Sequence, residues 1–253
     1  MLAVLEMRLV GYRHVWRGSV LSSFVLPVLF VVGFGIGVGR FVDTAGGLPG
    51  VRYLDYIAPG ALATTGLQIA FGESAYQVMS RFQWIRTYHA MVATPLRVAD
   101  ILAGDLMFIA LRVLTASTVF LGITALFGAV HSPWGLAAPL VCALLGLAVA
   151  APMHAYTASV RNDSGFTVIQ RLLVIPMSLF AGVFFPVTQL PAAARVLAYA
   201  SPLWHAVELC RAATLPRYPI GPPAVAGHLA YLVLWAGSGF VLATVTFRRR
   251  LAE

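Results

Sequence analysis

Long runs without charged side chains constrain this chain more than any other feature. Three runs contain no charge at all and three more contain one or two charges each: residues 20–39, 134–160 and 225–247, then 56–79, 101–130 and 166–185. A helix rises about 1.5 Å per residue, so roughly 20 apolar residues cross the hydrocarbon core of a bilayer. We therefore predict an all-α integral membrane protein with six transmembrane helices in a single domain, residues 1–253.

The composition agrees with a membrane location and excludes several functions. Only 10% of the residues are charged, against about 25% in soluble domains. The basic residues are scattered between apolar runs, which favours membrane lipid over nucleic acid as a partner. All seventeen are arginine, and without lysine the chain cannot form a P-loop nucleotide site. We predict no cofactor and no metal in this chain, and we interpret Cys142 and Cys210 as small apolar fillers.

Arginine counts predict the orientation. Six spans place both termini on one side, together with the loops around 80–100 and 160–171; this side carries eleven arginines and the other side five. Positive residues concentrate on the cytoplasmic side, so both termini are expected in the cytoplasm of a bacterium, with the spans in its plasma (inner) membrane. Charges near the N-terminus also argue against a cleaved signal peptide.

Residues 1–18 form an amphipathic pattern. Apolar residues recur at three- and four-residue steps, at Leu2, Leu5, Leu9, Tyr12 and Trp16. The pattern predicts a helix in the inner interface, with the arginines that flank its stripe, Arg8, Arg13 and Arg17, toward lipid phosphates. The alternative is a short cytoplasmic extension of the first span.

Three charged residues fall inside predicted spans, toward their cytoplasmic halves. Glu73 lies in the second span, and Asp105 and Arg112 lie in the third. Charges at this depth need partners, so we expect a structural polar cluster with a Glu73–Arg112 pair across the two helices. The alternative function, an ion- or proton-coupled secondary carrier, predicts inverted repeats and acids near mid-membrane. An intramembrane hydrolase would need a nucleophile, and Ser238 has no base adjacent in sequence.

Two segments between spans are too apolar for ordinary loops. Residues 80–105 place apolar side chains at helix-like spacing before Thr94-Pro95, which predicts a short cytoplasmic helix that needs lipid or another protein to cover it. Residues 182–211 are apolar but broken by three prolines, too often for a spanning helix. This stretch either dips into the outer leaflet and returns or lies on the outer surface.

The sequence resembles the ABC-2 type permeases, most closely the lipo-oligosaccharide (nodulation-factor) exporters and related drug-resistance permeases. The resemblance is carried by the motifs at residues 58–60 (Ala-Pro-Gly), 94–96 (Thr-Pro-Leu), 184–186 (Phe-Phe-Pro), 190–191 (Leu-Pro) and 201–208. It implies a permease subunit that exports an amphipathic lipid-linked, glycolipid or hydrophobic drug substrate. It also implies two copies of a separate ATPase subunit, which binds the ATP and Mg, and a second permease chain, identical or homologous. The chain itself would not be an enzyme.

The resemblance further implies two functional segments. A coupling region at residues 81–96 would contact the ATPase through Trp84, Ile85, Tyr88, Met91, Thr94, Pro95 and Leu96. A re-entrant helical pair at residues 186–215, with short helices at 192–199 and 203–213, would close the outer end of the pathway; the gate residues are Phe184, Phe185, Pro186, Leu190, Pro191, Ser201, Pro202, His205 and Glu208.

The orientation can be tested by cysteine labelling. In a variant without Cys142 and Cys210, cysteines introduced at Ala45 and Pro222 should react with an impermeant maleimide on intact cells, whereas one at Leu251 should react only after permeabilisation. External labelling at Leu251 would contradict the six-span orientation.

Overall fold

The computed structural model describes residues 1–44, 51–215, 218 and 220–252; Ala45 lies outside this part. Every regular element within it is helical. The α-helices, numbered in chain order, are α1 Leu2–Phe30, α2 Gly39–Thr44, α3 Tyr53–Gly72, α4 Val78–Gln83, α5 Thr87–Val92, α6 Val98–Leu126, α7 Ala138–Ser159, α8 Ser164–Ile169, α9 Ile175–Phe180, α10 Ala192–Tyr199, α11 Pro202–Thr214 and α12 Pro222–Ala252. Three π-helical turns, Val31–Val38, Glu73–Gln77 and Gln170–Val174, join helices within longer rods, and short 3₁₀ turns occupy Pro133–Ala137 and Val187–Gln189.

Helix α7 lies at the centre of the bundle, in contact with α3, α6, α11 and α12. Its small and apolar side chains, including Cys142, Leu145 and Ala148, are buried on several sides, as expected of a helix that is apolar all round. Gly239 lets α12 approach closely, because a Cβ at this position would lie 2.5 Å from Cδ of Pro152.

Three of the described helices are long and apolar enough to cross a membrane: Val98–Leu126, Pro133–Ser159 and Pro222–Ala252. Their 29, 27 and 31 residues exceed the roughly 20 needed for a crossing. They correspond to the predicted spans 101–130, 134–160 and 225–247. The chain is therefore an all-helical membrane protein.

The N-terminal region differs from the expected arrangement. The predicted interfacial helix, residues 1–18, and the first span, residues 20–39, are not separated by a break, because α1 runs without interruption from Leu2 to Phe30. The π-helical turn and α2 then prolong the rod to Thr44. The structure thus has the continuous helix of the alternative interpretation. The side chains of Trp16 and Arg17 lie outside the described part.

The second and fifth predicted spans also differ in length. The second, predicted at 56–79, runs through α3, a π-helical turn and α4 to residue 83. The fifth was expected at 166–185, but the helical segment Ser164–Phe180 ends five residues earlier. The chain turns at Gly182, whose φ of 79° is a backbone conformation that favours glycine. Val183 is buried beyond this turn, so the apolar sequence extends past the end of the helix and made the predicted span too long.

Gly60, in the Ala-Pro-Gly motif of α3, makes the close approach of this turn possible. A Cβ at Gly60 would lie 2.9 Å from Cα of Val183, which is backbone and cannot move aside as a flexible side chain would. The motif therefore has a packing role, since it seats the turn after α9 against the second predicted span.

The variant Gly60→Ala should lower the free energy of unfolding by about 1–3 kcal/mol through overpacking. Gly72→Ala is the control, because a Cβ there would meet nothing within 4 Å and alanine favours helix. Thermal unfolding of the purified protein in detergent measures both. Equal melting temperatures for the two variants would contradict the packing role of Gly60.

Candidate functional site

A cluster of five charged side chains and one tyrosine occupies one end of the bundle and is called here the inner network: Arg8, Glu73, Arg81, Tyr88, Asp105 and Arg112. Arg112 Nη1 donates to Glu73 Oε1, which is the pair between the second and third predicted spans that the sequence suggests. Asp105 and Arg112 belong to the same helix, but Asp105 is bound by other partners. Glu73 opens a π-helical turn, an irregularity that often accompanies functional sites.

Asp105 is the most enclosed member of the inner network, with 1% of its surface exposed. Its Oδ1 lies 3.1 Å from Arg81 Nη1, and its Oδ2 accepts a hydrogen bond from the Tyr88 hydroxyl. Arg8 Nε also lies 3.1 Å from Oδ1, although without the angle of a hydrogen bond. A carboxylate this deeply buried is stable only with such partners, so Asp105 holds α4 and α5 against α6.

Arg8 corrects the sequence-based prediction for the N-terminal helix. Its side chain is buried rather than directed to lipid phosphates, and its Nη2 lies 3.4 Å from Glu73 Oε2. The guanidinium also stacks 4.2 Å from the centre of the Phe108 ring. Gly104 makes this position accessible, because a Cβ there would lie 2.7 Å from Cβ of Val4. Close packing of α1 on α6 therefore carries Arg8 into the network.

The short helix α5 is joined to the inner network by Tyr88, and this changes the predicted coupling surface. Tyr88 and Met91 are buried against the bundle, with Tyr88 packed between the rings of Phe82 and Phe247. The expectation that these two side chains share an exposed face is wrong, because the permease covers them itself. Trp84 and Ile85 are 70% and 67% exposed.

The remaining predicted coupling residues follow α5. Thr94 and Pro95 are exposed, and the Thr94 hydroxyl donates to the Met91 carbonyl, which closes the end of the helix. Leu96 is partly buried against the core. The exposed part of the region is therefore centred on Trp84 and Ile85, next to a left-handed residue, Arg86, with a φ of 54°.

At the other end of the bundle, a buried arginine holds the chain where it leaves helical structure. Arg211, 1% exposed, donates from Nε to the Tyr56 carbonyl and from Nη2 to the carbonyls of Gly182 and Val183. Its guanidinium lies 3.7 Å from the centre of the Tyr56 ring. The chain is not helical at residues 181–185, so no backbone amide of a following helical turn donates to the carbonyls of Gly182 and Val183. Arg211 supplies the missing donors.

Glu208 completes the surroundings of Arg211. The two side chains approach to 3.4 Å, and the Tyr218 hydroxyl lies 2.9 and 2.8 Å from the two oxygens of Glu208. Burial, followed by the nearby charge of Glu208, raises the pKa of Tyr218, so the phenol remains a donor. Because Arg211 is buried and also binds backbone carbonyls, this ion pair differs from an exposed pair on a helix surface.

The segment of residues 186–215, called here the outer lid, contains the two short helices that the resemblance implies. They are observed at Ala192–Tyr199 and Pro202–Thr214. Pro186 and Pro191 each have extended backbone and each precede a helical segment. Ser201 caps α11 by accepting a hydrogen bond from the Leu203 amide, and Pro202 occupies the first helical position. The prolines therefore define where the lid turns.

Aromatic side chains and two histidines attach the outer lid to the bundle. Phe184 lies against Phe34, with ring centres 5.6 Å apart, while Phe185 packs on a small lid cluster with Val187, Leu190 and Ala198. His205 and His228 meet through their Nδ1 atoms at 2.7 Å, and the ring of His205 stacks on Tyr231.

The hydrogen bonds of this histidine pair define its protonation. His205 Nε2 lies 3.1 Å from the Tyr199 carbonyl, which can only accept, so Nε2 carries the proton and Nδ1 accepts from His228. Burial, with a smaller effect of His228, lowers the pKa of His205 to about 4. The ring is therefore neutral near pH 7, and α11 is fastened to α12 by an uncharged hydrogen bond.

Several residues that join these clusters were not assigned to them from the sequence: Arg8, Arg81, Arg211 and His228. Arg211 was the most accessible of these, since a charged residue within an apolar, proline-broken stretch needs a buried partner. The structure places Ser238 on the exposed face of α12, where its hydroxyl donates to the Trp235 carbonyl. Cys142 and Cys210 are buried free thiols with their sulfurs 3.8 Å apart. Among the described residues, no group of three His, Cys, Asp or Glu side chains is placed to hold a metal ion.

The structure is a helical membrane bundle with a charged network at one end and a proline-broken helical pair at the other. Comparison with known proteins agrees: residues 4–215 match the family model of the ABC-2 type transporters. The chain belongs to the ABC-2 type transporter family.

Three curated relatives match along nearly the whole chain, and each of the three bears the name Nodulation protein J. The protein of Rhizobium leguminosarum bv. viciae is 32% identical over 250 residues, which cover 99% of this chain and 94% of the relative. That of Sinorhizobium fredii is also 32% identical, with 99% and 93% covered. That of Rhizobium meliloti is 30% identical over 254 residues, with the same shares covered.

The variant Arg211→Met should lower the free energy of unfolding by about 3 kcal/mol or more, because buried carbonyls and Glu208 lose their donors. Arg97→Met is the matched control, since Arg97 is exposed and should change stability by no more than about 0.5 kcal/mol. Melting temperatures in detergent compare the two. If Arg211→Met lowers the melting temperature no more than Arg97→Met does, Arg211 does not stabilise the buried carbonyls as described.

Proposed function

We propose that this chain is the permease subunit of an ATP-driven exporter that moves an amphipathic molecule, such as a lipo-oligosaccharide, another glycolipid or a hydrophobic drug, out of the cytoplasm or inner leaflet. The observation that supports this most is membership of the ABC-2 type transporter family along residues 4–215. The absence of lysine supports a separate ATPase subunit, because this chain cannot form a P-loop nucleotide site. Two ATPase subunits would bind ATP and Mg, and a second permease chain, identical or homologous, would complete the pathway.

The proposed topology has six crossings and cytoplasmic termini. Residues that this topology assigns to opposite sides of the membrane lie at opposite ends of the bundle, as two sets of contacts illustrate. Arg250 donates to the carbonyls of Thr157 and Val160 at one end, near the inner network. At the other end, Asp55 accepts from Arg52 and contacts His131, whose amide binds the last turn of α11. The arginine excess assigns the first end to the cytoplasm.

The exposed residues Trp84 and Ile85 form the proposed docking surface for the ATPase. A large exposed apolar pair next to arginines is typical of a protein contact rather than of a free cytoplasmic surface. Movement of this surface would reach the bundle through Tyr88, which hydrogen-bonds Asp105 from the adjacent helix α5.

The inner network then spreads the displacement to other helices. Asp105 shares Arg8 with Glu73, and Glu73 pairs with Arg112, so α1, α3 and α6 are linked through charges. Because these charges are costly to separate in a low-dielectric environment, the helices move together rather than singly. ATP binding in the partner would use this link to shift the population from a closed to an open pathway.

The outer lid is the proposed gate. Phe184 and Phe185 would seal the pathway, and the His205–His228 hydrogen bond would hold the lid to α12 in the closed state. Broken backbone at membrane depth needs protein or a cavity around it, and Arg211 meets that need for residues 182–183. A secondary carrier would instead need an acid free to take a proton, whereas Glu73 and Asp105 are each paired with arginine.

Replacing Trp84 and Ile85 together with Asp should reduce recovery of the ATPase with the permease by roughly tenfold or more, because two charges would be buried at the contact. Export of a fluorescent lipo-oligosaccharide by cells expressing both subunits should fall in parallel. Trp134→Asp is the control, since Trp134 is 75% exposed and belongs to the opposite end of the bundle.

Unchanged recovery of the ATPase with the double variant would contradict the docking surface. Export that continues when the ATPase carries an inactivating substitution in its own P-loop would contradict the proposed function as a whole.

A further inference from the structure

Two imidazole rings face each other where the outer lid meets the last helix. His205 of α11 and His228 of α12 approach through their Nδ1 atoms at 2.7 Å, although 23 residues separate them in sequence and no metal-binding motif marks them. Both side chains are only partly buried, so water and small ions reach them. His131, at the same end of the bundle, contacts Asp55 instead.

The hydrogen bonds of the pair direct nitrogen lone pairs toward one point. A neutral imidazole has one N–H group and one lone pair. His205 donates from Nε2 to the Tyr199 carbonyl at 3.1 Å, so its lone pair is on Nδ1 and faces His228. If His228 carries its proton on Nε2, its own Nδ1 lone pair faces His205 in turn. Two lone pairs then converge between α11 and α12, which is how two histidines hold one metal ion.

The surroundings of His205 fix its ring as an outer shell fixes a metal ligand. The ring stacks on Tyr231 with centres 3.8 Å apart, and Trp204 lies edge-on to it at 4.8 Å. The Tyr231 hydroxyl donates to the Ala200 carbonyl, which holds the stacked ring against the outer lid. Metal-bound histidines almost always donate their second ring nitrogen to a carbonyl or carboxylate, as His205 does to Tyr199.

We infer that His205 and His228 bind a divalent cation of the zinc type from the outer side and that the bound ion locks the outer lid to α12, a regulatory role that rests on the proposed function. Imidazole nitrogen is a preferred ligand of Zn²⁺, Ni²⁺ and Cu²⁺, whereas Mg²⁺ and Ca²⁺ prefer oxygen. His228 would move its proton from Nδ1 to Nε2, so no net proton is released. Two coordinate bonds would then replace the single hydrogen bond between the helices.

The observed geometry needs only a small adjustment to accept the ion. Zn–N bonds of about 2.0–2.1 Å at a tetrahedral angle place two ligand nitrogens about 3.3 Å apart. The Nδ1 atoms lie 2.7 Å apart, so the rings would have to separate by roughly 0.6 Å. Side-chain rotation supplies such a shift without displacing either helix.

Two protein ligands make this an exchangeable site rather than a structural one. Glu208 follows His205 by three residues, but Tyr218 and Arg211 hold its carboxylate, so it does not complete the coordination. Water would occupy the remaining positions, as it does in zinc sites with an open position. A site of this kind responds to the concentration of the cation outside the cell.

Zinc binding by the purified permease tests the site. The protein is isolated through a tag without histidine, treated with EDTA and placed in nanodiscs without the ATPase, and Zn²⁺ is titrated calorimetrically in the presence of excess Mg²⁺. One zinc ion should bind per chain, and X-ray absorption of the bound zinc should show two imidazole ligands at about 2.0 Å. Absence of stoichiometric binding, or zinc without imidazole ligands, would overturn the inference.

Substitution of each histidine provides the matched variants. His205→Gln and His228→Gln should each weaken zinc binding by roughly tenfold or more, because losing even an outer-shell partner of a metal ligand costs about 10–100-fold. His131→Gln is the control and should bind zinc as the unmodified protein does, since His131 is 41% exposed at the same end and contacts Asp55. Variants are compared only if they elute as a single species in size-exclusion chromatography; otherwise the absorption spectrum of the unmodified protein decides. Equal affinity in all four proteins would overturn the site.

Export tests the locking role separately. Zn²⁺ added outside cells that express the permease and the ATPase should lower export of a fluorescent lipo-oligosaccharide, and EDTA should restore it. The ratio of export with zinc to export without zinc should approach one in the double variant His205→Gln, His228→Gln. The same ratio in the double variant and the unmodified protein would overturn the lock.

The binding measurement distinguishes this inference from the proposed function, because it needs neither ATPase nor substrate. Failure of zinc to bind would overturn the site and leave the proposed function standing. Export that continues without an active ATPase would contradict the proposed function and leave zinc binding by the pair standing.

Discussion

A buried backbone carbonyl that leaves helical structure must find a donor, and the end of the bundle opposite the inner network depends on how that requirement is met at Gly182 and Val183. A buried carbonyl without such a donor would lose its hydrogen bond on folding, which costs free energy. Arg211 donates to both carbonyls and to Tyr56, and Gly60 leaves the space for the turn to sit against α3. These contacts allow a span to end early and a pair of short helices to follow it.

At the end of the bundle that contains the inner network, the buried groups that need partners are charged side chains rather than backbone carbonyls. Asp105 and Glu73 are enclosed by arginines from α1, α4 and α6, so each acid has a cationic partner from a different helix. Such pairs add little net stability compared with apolar packing, but separating them is expensive. The arrangement therefore ties α1, α4 and α6 together, so that they resist movement relative to one another.

The sequence predicted those features that depend on local pattern, and it failed where tertiary contacts decide. The Glu73–Arg112 pair follows from the depth of two charges in neighbouring spans, whereas α10 and α11 were expected only from the family resemblance. Periodicity could not predict that Tyr88 and Met91 pack against their own bundle. It shows which residues share one face of a helix, but it does not show which part of the molecule packs against that face. Arg8 was misassigned for the same reason, and the fifth span was overextended because Val183 is buried without being helical.

The π-helical turns have a mechanical consequence. Such turns occur at Val31–Val38, Glu73–Gln77 and Gln170–Val174, within three of the predicted spans. A π turn contains one more residue than the α turn that replaces it, and one residue corresponds to about 100° of rotation in an α-helix. Moving the extra residue along a rod would rotate the side chains that it passes by about this angle, while the rest of the rod keeps its orientation and its length hardly changes. The three π-helical turns are therefore the places at which these predicted spans can change the face that their side chains present without unfolding.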